Sequence, residues 1–315
     1  MTRILIVYYS QTGQLTRAVR SMMAPLAHRA DVELVWQELV PREPYPFPWG
    51  FFTFLDAFPE SVYLDSPPLR PVDFDPEGRF DLVILAYQVW FLSPSLPITA
   101  FLKSTAARAL KDTPVITLIG CRNMWFSAQQ KLQRLLKDVG ARLIDNVVLV
   151  DQGPPWATFV TTPRWLLTGK KGGFWRIFPP AGISDTAIQG AARFGWALAV
   201  SLYLLQSNSG ASLLWGLGAV TVNPGYIAAE KIGHRSFLLW GRLLRAIGPP
   251  GHRGRRVVLL IYVVFLVSMI LTVVPLGLLL RALLRPWLRR RMDAETARLA
   301  LPSGSSTERM AKYSR

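Results

Sequence analysis

Residues 4–16, Ile4-Leu5-Ile6-Val7-Tyr8-Tyr9-Ser10-Gln11-Thr12-Gly13-Gln14-Leu15-Thr16, carry an apolar segment into a hydroxyl-rich turn and then straight into a helical pattern. A short, continuous apolar run of this kind reads as a strand buried on both faces. From Gly13 to His28 the positions Leu15, Val19, Met22, Met23 and Leu26 fall on one side of a helix. So abrupt a turn from strand to helix aims several backbone N–H groups at one point, where the positive end of the helix dipole adds to them. The turn reads either as a phosphate cradle built by Ser10, Gln11, Thr12, Gly13, Gln14, Leu15 and Thr16, or as an ordinary helix start capped by a Ser or Thr.

The same alternation continues outward from this turn. Val32–Leu39 alternates as a strand near a sheet edge would, and Phe80–Ala86 and Pro114–Gly120 read as central strands. Leu143–Val150 is the last strand. Leu96–Thr105, Ser127–Val139 and Asp185–Leu205 read as helices between or after them. Strands alternating with helices predict an α/β fold, a doubly wound parallel sheet of five strands covered on both faces. Right-handed crossovers then bring the strand C-terminal ends, and their loops, to one edge.

Two segments break the rhythm. Residues 41–76 are rich in Pro and aromatics (Pro44-Tyr45-Pro46-Phe47-Pro48-Trp49) and read as an irregular insertion, a lid or apolar pocket wall. Residues 153–184 interleave Trp156, Phe159, Trp165, Phe174, Trp175 and Phe178 with Arg164, Lys170, Lys171 and Arg176, a mixture suited to a membrane interface.

The formal net charge of +16 is placed asymmetrically. Residues 1–152 hold 15 Lys/Arg and 15 Asp/Glu, whereas residues 153–315 hold 21 and 5. A polyanionic partner is implied. The uncharged apolar run inside the basic half selects anionic membrane lipid and disfavours nucleic acid. That run, Val257–Leu280, has 24 residues and at about 1.5 Å per residue exceeds a ~30 Å hydrocarbon core. His234–Ile247 before it reads as an amphipathic interface helix. Five arginines flank the run on each side: Arg242, Arg245, Arg253, Arg255 and Arg256, then Arg281, Arg285, Arg289, Arg290 and Arg291. The positive-inside rule is therefore tied, leaving a spanning helix and a kinked, re-entrant or surface-lying one both open. The expected organisation is a domain over 1–206, a basic membrane-interface segment over 207–256, a membrane helix over 257–280 and a mobile basic tail over 281–315. No secretory signal opens the chain, so the expected location is the inner (cytoplasmic) membrane, with the α/β domain in the cytoplasm. One cysteine and three scattered histidines predict no metal site.

No dinucleotide-binding glycine fingerprint, Walker A motif or nucleophile elbow is present. Three loops share the predicted binding edge: Ser10–Thr16, then Tyr87-Gln88-Val89-Trp90-Phe91, then Gly120-Cys121-Arg122-Asn123-Met124-Trp125. An anion cradle beside two aromatic-bearing loops suits a phosphorylated planar cofactor.

Tyr8-Tyr9-Ser10-Gln11-Thr12-Gly13 resembles the phosphate loop of flavodoxin-like proteins, although Leu15 stands where their last Thr would be. The resemblance implies FMN, with its ring between Tyr87, Gln88, Val89, Trp90 and Phe91 on one side and Gly120, Cys121, Arg122, Asn123 and Trp125 on the other. YYSQTGQL with PYPFPW, DAFPESV and GCRNMW is similar to the flavodoxin-like proteins of dialkylresorcinol biosynthesis. That likeness implies a membrane-attached, flavin-dependent oxidoreductase acting on a lipophilic ketone, phenolic or quinone substrate. Tyr87, Cys121 and Arg122 are its candidate catalytic residues, by nearness to the ring. An NAD(P)H-dependent quinone or FMN reductase, and a non-catalytic electron carrier or scaffold, are the alternatives.

Overall fold

The computed structural model describes residues 1–205 and 210–313, with the backbone alone at 273–275 and 278–291. Its sheet has five parallel strands, β1 (Thr2–Tyr8), β2 (Val32–Glu38), β3 (Leu82–Trp90), β5 (Pro114–Cys121) and β6 (Arg142–Val150), with β4 (Ser93–Pro94) folding back antiparallel on the end of β3. Their order, β2-β1-β3-β5-β6, is the flavodoxin-like doubly wound order, with its switch point between β1 and β3. Ile4 to Val7 are wholly buried, as a strand covered on both faces demands, whereas β2 at the edge is only partly buried.

The helices α1 (Gln14–Met23), α3 (Leu96–Leu102) and α4 (Phe126–Asp138) fall where periodicity places them. The predicted helix over Asp185–Leu205 is broken into α6 (Asp185–Gly190), α7 (Ala192–Ser201) and a 3-10 turn over Leu202–Leu205. Gly195 lets α7 reach α1: a Cβ there would stand 1.9 Å from the Met22 carbonyl oxygen.

Both insertions contain helices instead of irregular chain. Residues 41–76 include α2 (Phe51–Tyr63), and residues 153–184 include α5 (Pro155–Thr168). Each has an internal proline, Pro59 or Pro163, which removes a helical hydrogen bond and masks the pattern in sequence. Leu55, Phe58 and Val62 lie one turn apart on α2. They pack against α8 (Pro224–Ile247) and α9 (Arg253–Ala300), where the Phe58 and Tyr262 rings stack at 4.8 Å.

The expected division at 206/207 falls at residues outside those described, and the chain on both sides of it belongs to one core. Leu213, Leu214, Leu217, Ala219 and Val220 are buried with the sheet. Asp145 of β6 explains why. Its buried carboxylate accepts from the N–H groups of Leu213 (2.7 Å) and Leu214 (3.2 Å) and from the hydroxyls of Ser212 and Ser303. Ser303 also accepts from the Asn146 N–H at 2.7 Å. The tail predicted to be mobile is therefore ordered over 292–313: Leu299, Ala300 and, in the short helix α10 (Met310–Tyr313), Tyr313 join the main core. The side chains of Arg281, Arg285, Arg289, Arg290 and Arg291 lie outside those described.

The two ends of α9 thus rest on the same body. At its start Arg255 is 1% exposed, ion-paired with Asp56 (2.8 Å) and bidentate to Glu60 (2.9 Å to each oxygen) on α2. The arginines before the apolar run are not equivalent charges, since Arg255 is buried against two carboxylates and Arg245 pairs with Asp65 at 2.7 Å. Between the ends, the window Arg253–Thr272 is only 17% buried, with Val257, Leu260, Ile261, Val264 and Leu271 exposed.

Candidate functional site

Parallel β1, β3 and β5 end on one edge of the sheet, and the first predicted loop keeps its shape there. Gly13 caps α1 in the left-handed region (φ 73°), which favours glycine. No side chain caps from that position. Instead Ser10 reaches across the turn, and its Oγ accepts from the Thr16 N–H at 3.2 Å. Ser10 thus supplies the cap that one of the two sequence readings expects. Ser10 caps the third helical residue, while the N–H groups of Thr12, Gly13, Gln14 and Leu15 have no acceptor among the described residues. Space beside Gly13 is open, with nothing within 4 Å of a Cβ placed there.

The side chains of Gln11, Gln14 and Leu15 are committed elsewhere. Gln14 is buried and exchanges two 3.0 Å hydrogen bonds with the backbone of Ile183, tying α1 to the second insertion. Gln11 donates to the carbonyls of Tyr45 (3.2 Å) and Pro46 (2.9 Å), accepts from the Tyr9 hydroxyl, and gives its N–H to Gln88 Oε1 at 3.3 Å. Leu15 is packed under Gly120, where a Cβ would stand 3.3 Å from its Cδ1. Gly120 is therefore a packing glycine.

The second loop is shorter than predicted, because β3 runs on to Trp90 and turns only at Phe91–Leu92, both with positive φ. Strand alternation then separates the predicted ring contacts. Gln88 and Trp90 face the first loop. Trp90 meets Tyr9, Tyr45 and Trp49 at ring-centroid distances of 5.8, 5.0 and 5.5 Å. Tyr87 points into the core, wholly buried, and donates to Gln129 Oε1 at 2.7 Å. Burial pushes its phenol well above the ordinary value. Val89 packs against the core, and Phe91 leaves for the α2/α8 cluster, beside Phe54, Phe58 and Phe237. Tyr87 and Phe91 are thus not brought to the rim.

The third loop is brought there in part. Cys121 is half-buried, and burial, with Glu230 and Asp151 nearby, raises its thiol above the ordinary range. Arg122 lies over the Phe159 ring of α5 at 4.1 Å, and burial lowers its pKa although Tyr226 and Asp151 oppose the shift. Asn123 keeps a buried Oδ1 with no partner among the described residues, while Trp125 is buried at the start of α4.

Parts of this edge carried weak signals in the sequence. Tyr45 and Trp49 of the first insertion wall the Trp90 side, and the Trp49 N–H donates to the Leu166 carbonyl of α5 at 2.8 Å. Phe47 meets Trp165, so the two insertions touch over the edge. Glu230 of α8 is wholly buried beneath the third loop, and its Oε1 accepts from the Ser127 N–H at 2.6 Å. Burial raises its pKa to about 7, against the lowering effect of the N–H groups at the start of α4. Its sequence signal was that of a lone acid in an apolar and basic stretch.

No protein-family model matches the chain, and no curated protein matches it. Among solved structures it is similar to a flavoprotein in complex with FMN from Lactobacillus acidophilus, at 18% identity over 47% of this chain and 93% of that one, with a TM-score of 0.38. It is also similar to a flavodoxin from the domain Archaea, at 10% identity over 64% of this chain and 99% of that one, with a TM-score of 0.34. With likenesses this low, the fold assignment rests on the chain's own strand order and register.

An FMN phosphate fits the first loop, which combines free N–H groups, a helix start and open space at Gly13. The orphaned Asn123 Oδ1 fits a ligand that carries a hydrogen-bond donor.

Proposed function

We propose that this chain is an FMN-dependent oxidoreductase held at the cytoplasmic face of a membrane and acting on a lipophilic ketone, phenolic or quinone substrate. The observation that carries the reading is the group of unpartnered N–H donors from Thr12 to Leu15 at the end of β1. Those donors, with Ser10, would hold the phosphate, and Trp90 and Asn123 would border the ring. When bound, FMN supplies a two-electron acceptor, so aromatising an alkylated cyclohexanedione to a resorcinol would remove one hydride to the flavin and one proton to water. Tyr45, Phe47, Trp49 and Trp165 give the edge an apolar wall suited to an alkyl chain. The exposed apolar face of α9 supports membrane attachment. Both of its ends rest on one body, which favours a helix lying on or dipping into the bilayer over one that crosses it.

A second reading, an electron carrier, is favoured by Tyr87 and Cys121. Tyr87 is turned into the core, and burial pushes the Cys121 thiol towards its neutral form, so neither offers a ready base at the rim.

Reconstitution of the detergent-purified chain with FMN, followed by its visible spectrum, tests the shared claim. A bound flavin spectrum is expected, and its absence contradicts both readings. Anaerobic bleaching by an alkylated cyclohexanedione, with resorcinol formed, supports the oxidase. Bleaching only by NAD(P)H points to a reductase, and bleaching by neither favours the carrier.

A further inference from the structure

A cleft of about 150 Å³ lies between α4 and α8, and four of its eight lining residues are Lys or Arg. Lys131 and Arg134 come from α4, and Lys231, His234 and Arg235 from α8. The spacings are helical, three or four residues apart, so each helix turns one basic face to the cleft. The only carboxylate paired with any of these groups among the described residues is Glu295, on Lys231. Every Asp and Glu of the chain lies among those described.

The cations are therefore crowded and under-compensated. Lys131 Nζ is partly buried and donates to the Val62 carbonyl and the Ser93 hydroxyl, both at 2.8 Å, leaving its third N–H. His234 keeps a buried Nε2 with no partner among the described residues. Burial and Arg134 lower the Lys131 pKa to about 8, while burial, Lys131 and Arg134 lower that of His234. Positive groups packed this closely without counter-charge lose stability that a multivalent anion would restore.

We propose that this cleft binds a phosphate group, free or carried on a lipid headgroup. Tetrahedral oxygens match donors converging from two helices, and charge-assisted hydrogen bonds are the strong ones. The outward ridge of α8 favours the lipid source. Lys231 and Arg235 are followed at the same four-residue spacing by exposed Leu239 and Leu243, so a cationic end passes into an apolar one. A phosphate in the cleft would leave acyl chains along Leu239 and towards the bare face of α9. The site does not depend on the flavin reading, since its donors are side chains of α4 and α8 and not the N–H groups of the first loop.

The test is NMR of the full chain in a non-ionic detergent, following the His234 ring signals, which comparison with His234→Gln assigns among three histidines. Titration with inorganic phosphate and with dihexanoyl phosphatidic acid should shift those signals and raise the His234 pKa. Arg134→Gln with Arg235→Gln should weaken both ligands at least tenfold, while Lys103→Gln with Lys137→Gln, which removes the same two charges at positions that do not line the cleft, should not. Arg235→Gln alone, at an exposed position, gives the same direction with the fold intact. Phosphatidic acid binding at least tenfold tighter than phosphate assigns the lipid source, and equal affinities assign free phosphate. His234 signals unmoved by either ligand, or affinities unchanged in the double variant, overturn the proposal.

Discussion

Among the described residues, two stretches are long and apolar enough to cross a bilayer, and the fold uses them in opposite ways. Asp185–Leu205 is 44% buried and covers the sheet through α6 and α7, with Phe194, Ala197 and Leu198 wholly in the core. Arg253–Thr272 is 17% buried and keeps most of its apolar surface bare. The first is held by close apolar packing. The second joins α2 and α8 through a small apolar cluster around Phe58, Leu244, Leu259 and Tyr262, and is fastened at polar points as well: Arg255 between Asp56 and Glu60, with Glu230 of α8 at the start of α4. Hydropathy alone does not separate the two, because it counts apolar surface without asking what covers it. What separates them is how much of that apolar surface the rest of the fold covers.

Removing a polar fastening is the strongest way to break this contrast. Arg255→Ala strands Asp56 and Glu60 beside a buried void, and a loss of about 3–5 kcal/mol is expected in denaturant unfolding, with α2 and α9 released together. Gly195→Ala attacks the other helix. Its Cβ meets backbone that has no rotamer to give, so a loss of about 3 kcal/mol is expected by thermal melting. A cost below ~1 kcal/mol for either variant would erase the distinction.

The Glu230 fastening should be visible as a pH effect. Its folded pKa, about 7, lies above the ordinary carboxylate value, so the folded state holds a proton that the unfolded chain has already released. Its contribution is fully present below about pH 4.5 and is lost as pH rises through about 7. The wild-type melting temperature should fall across that window relative to Glu230→Gln, which keeps an acceptor for Ser127 but does not titrate. Parallel curves would remove Glu230 from the account. The smallest effect on folding belongs to Val264→Ser on the bare face of α9, expected within about 0.5 kcal/mol. The same variant should reduce partition onto anionic vesicles in flotation, and unchanged flotation would argue that this face meets protein.

The parts legible in sequence were those made by neighbouring residues. The run Ile4–Tyr9, the turn to Gly13 and the α1 periodicity are local, and the strand, turn and helix they predict are the ones found. The alternation of strands and helices carried the parallel sheet with it. The parts that were not legible join distant segments. Glu230 reaches Ser127 across 103 residues, and Ser303 meets Asp145 across 158. The prolines of α2 and α5 hid helices whose apolar sides make sense only against α8, α9 or the sheet edge. Within the site, the same strand that brings Trp90 to the rim turns Tyr87 inward, a consequence of β3 extending further than its apolar run suggests.

The central claim is that backbone donors at the start of α1 hold a flavin phosphate. Gly13→Asp tests it most directly, because Asp tolerates the left-handed conformation and suits a helix start, yet brings a negative charge to the cradle. FMN titration, followed by quenching of flavin fluorescence, should show binding to the wild-type chain and at least tenfold weaker binding to Gly13→Asp, with melting temperature preserved. FMN that fails to bind the wild-type chain, or binds both proteins equally, would contradict the account.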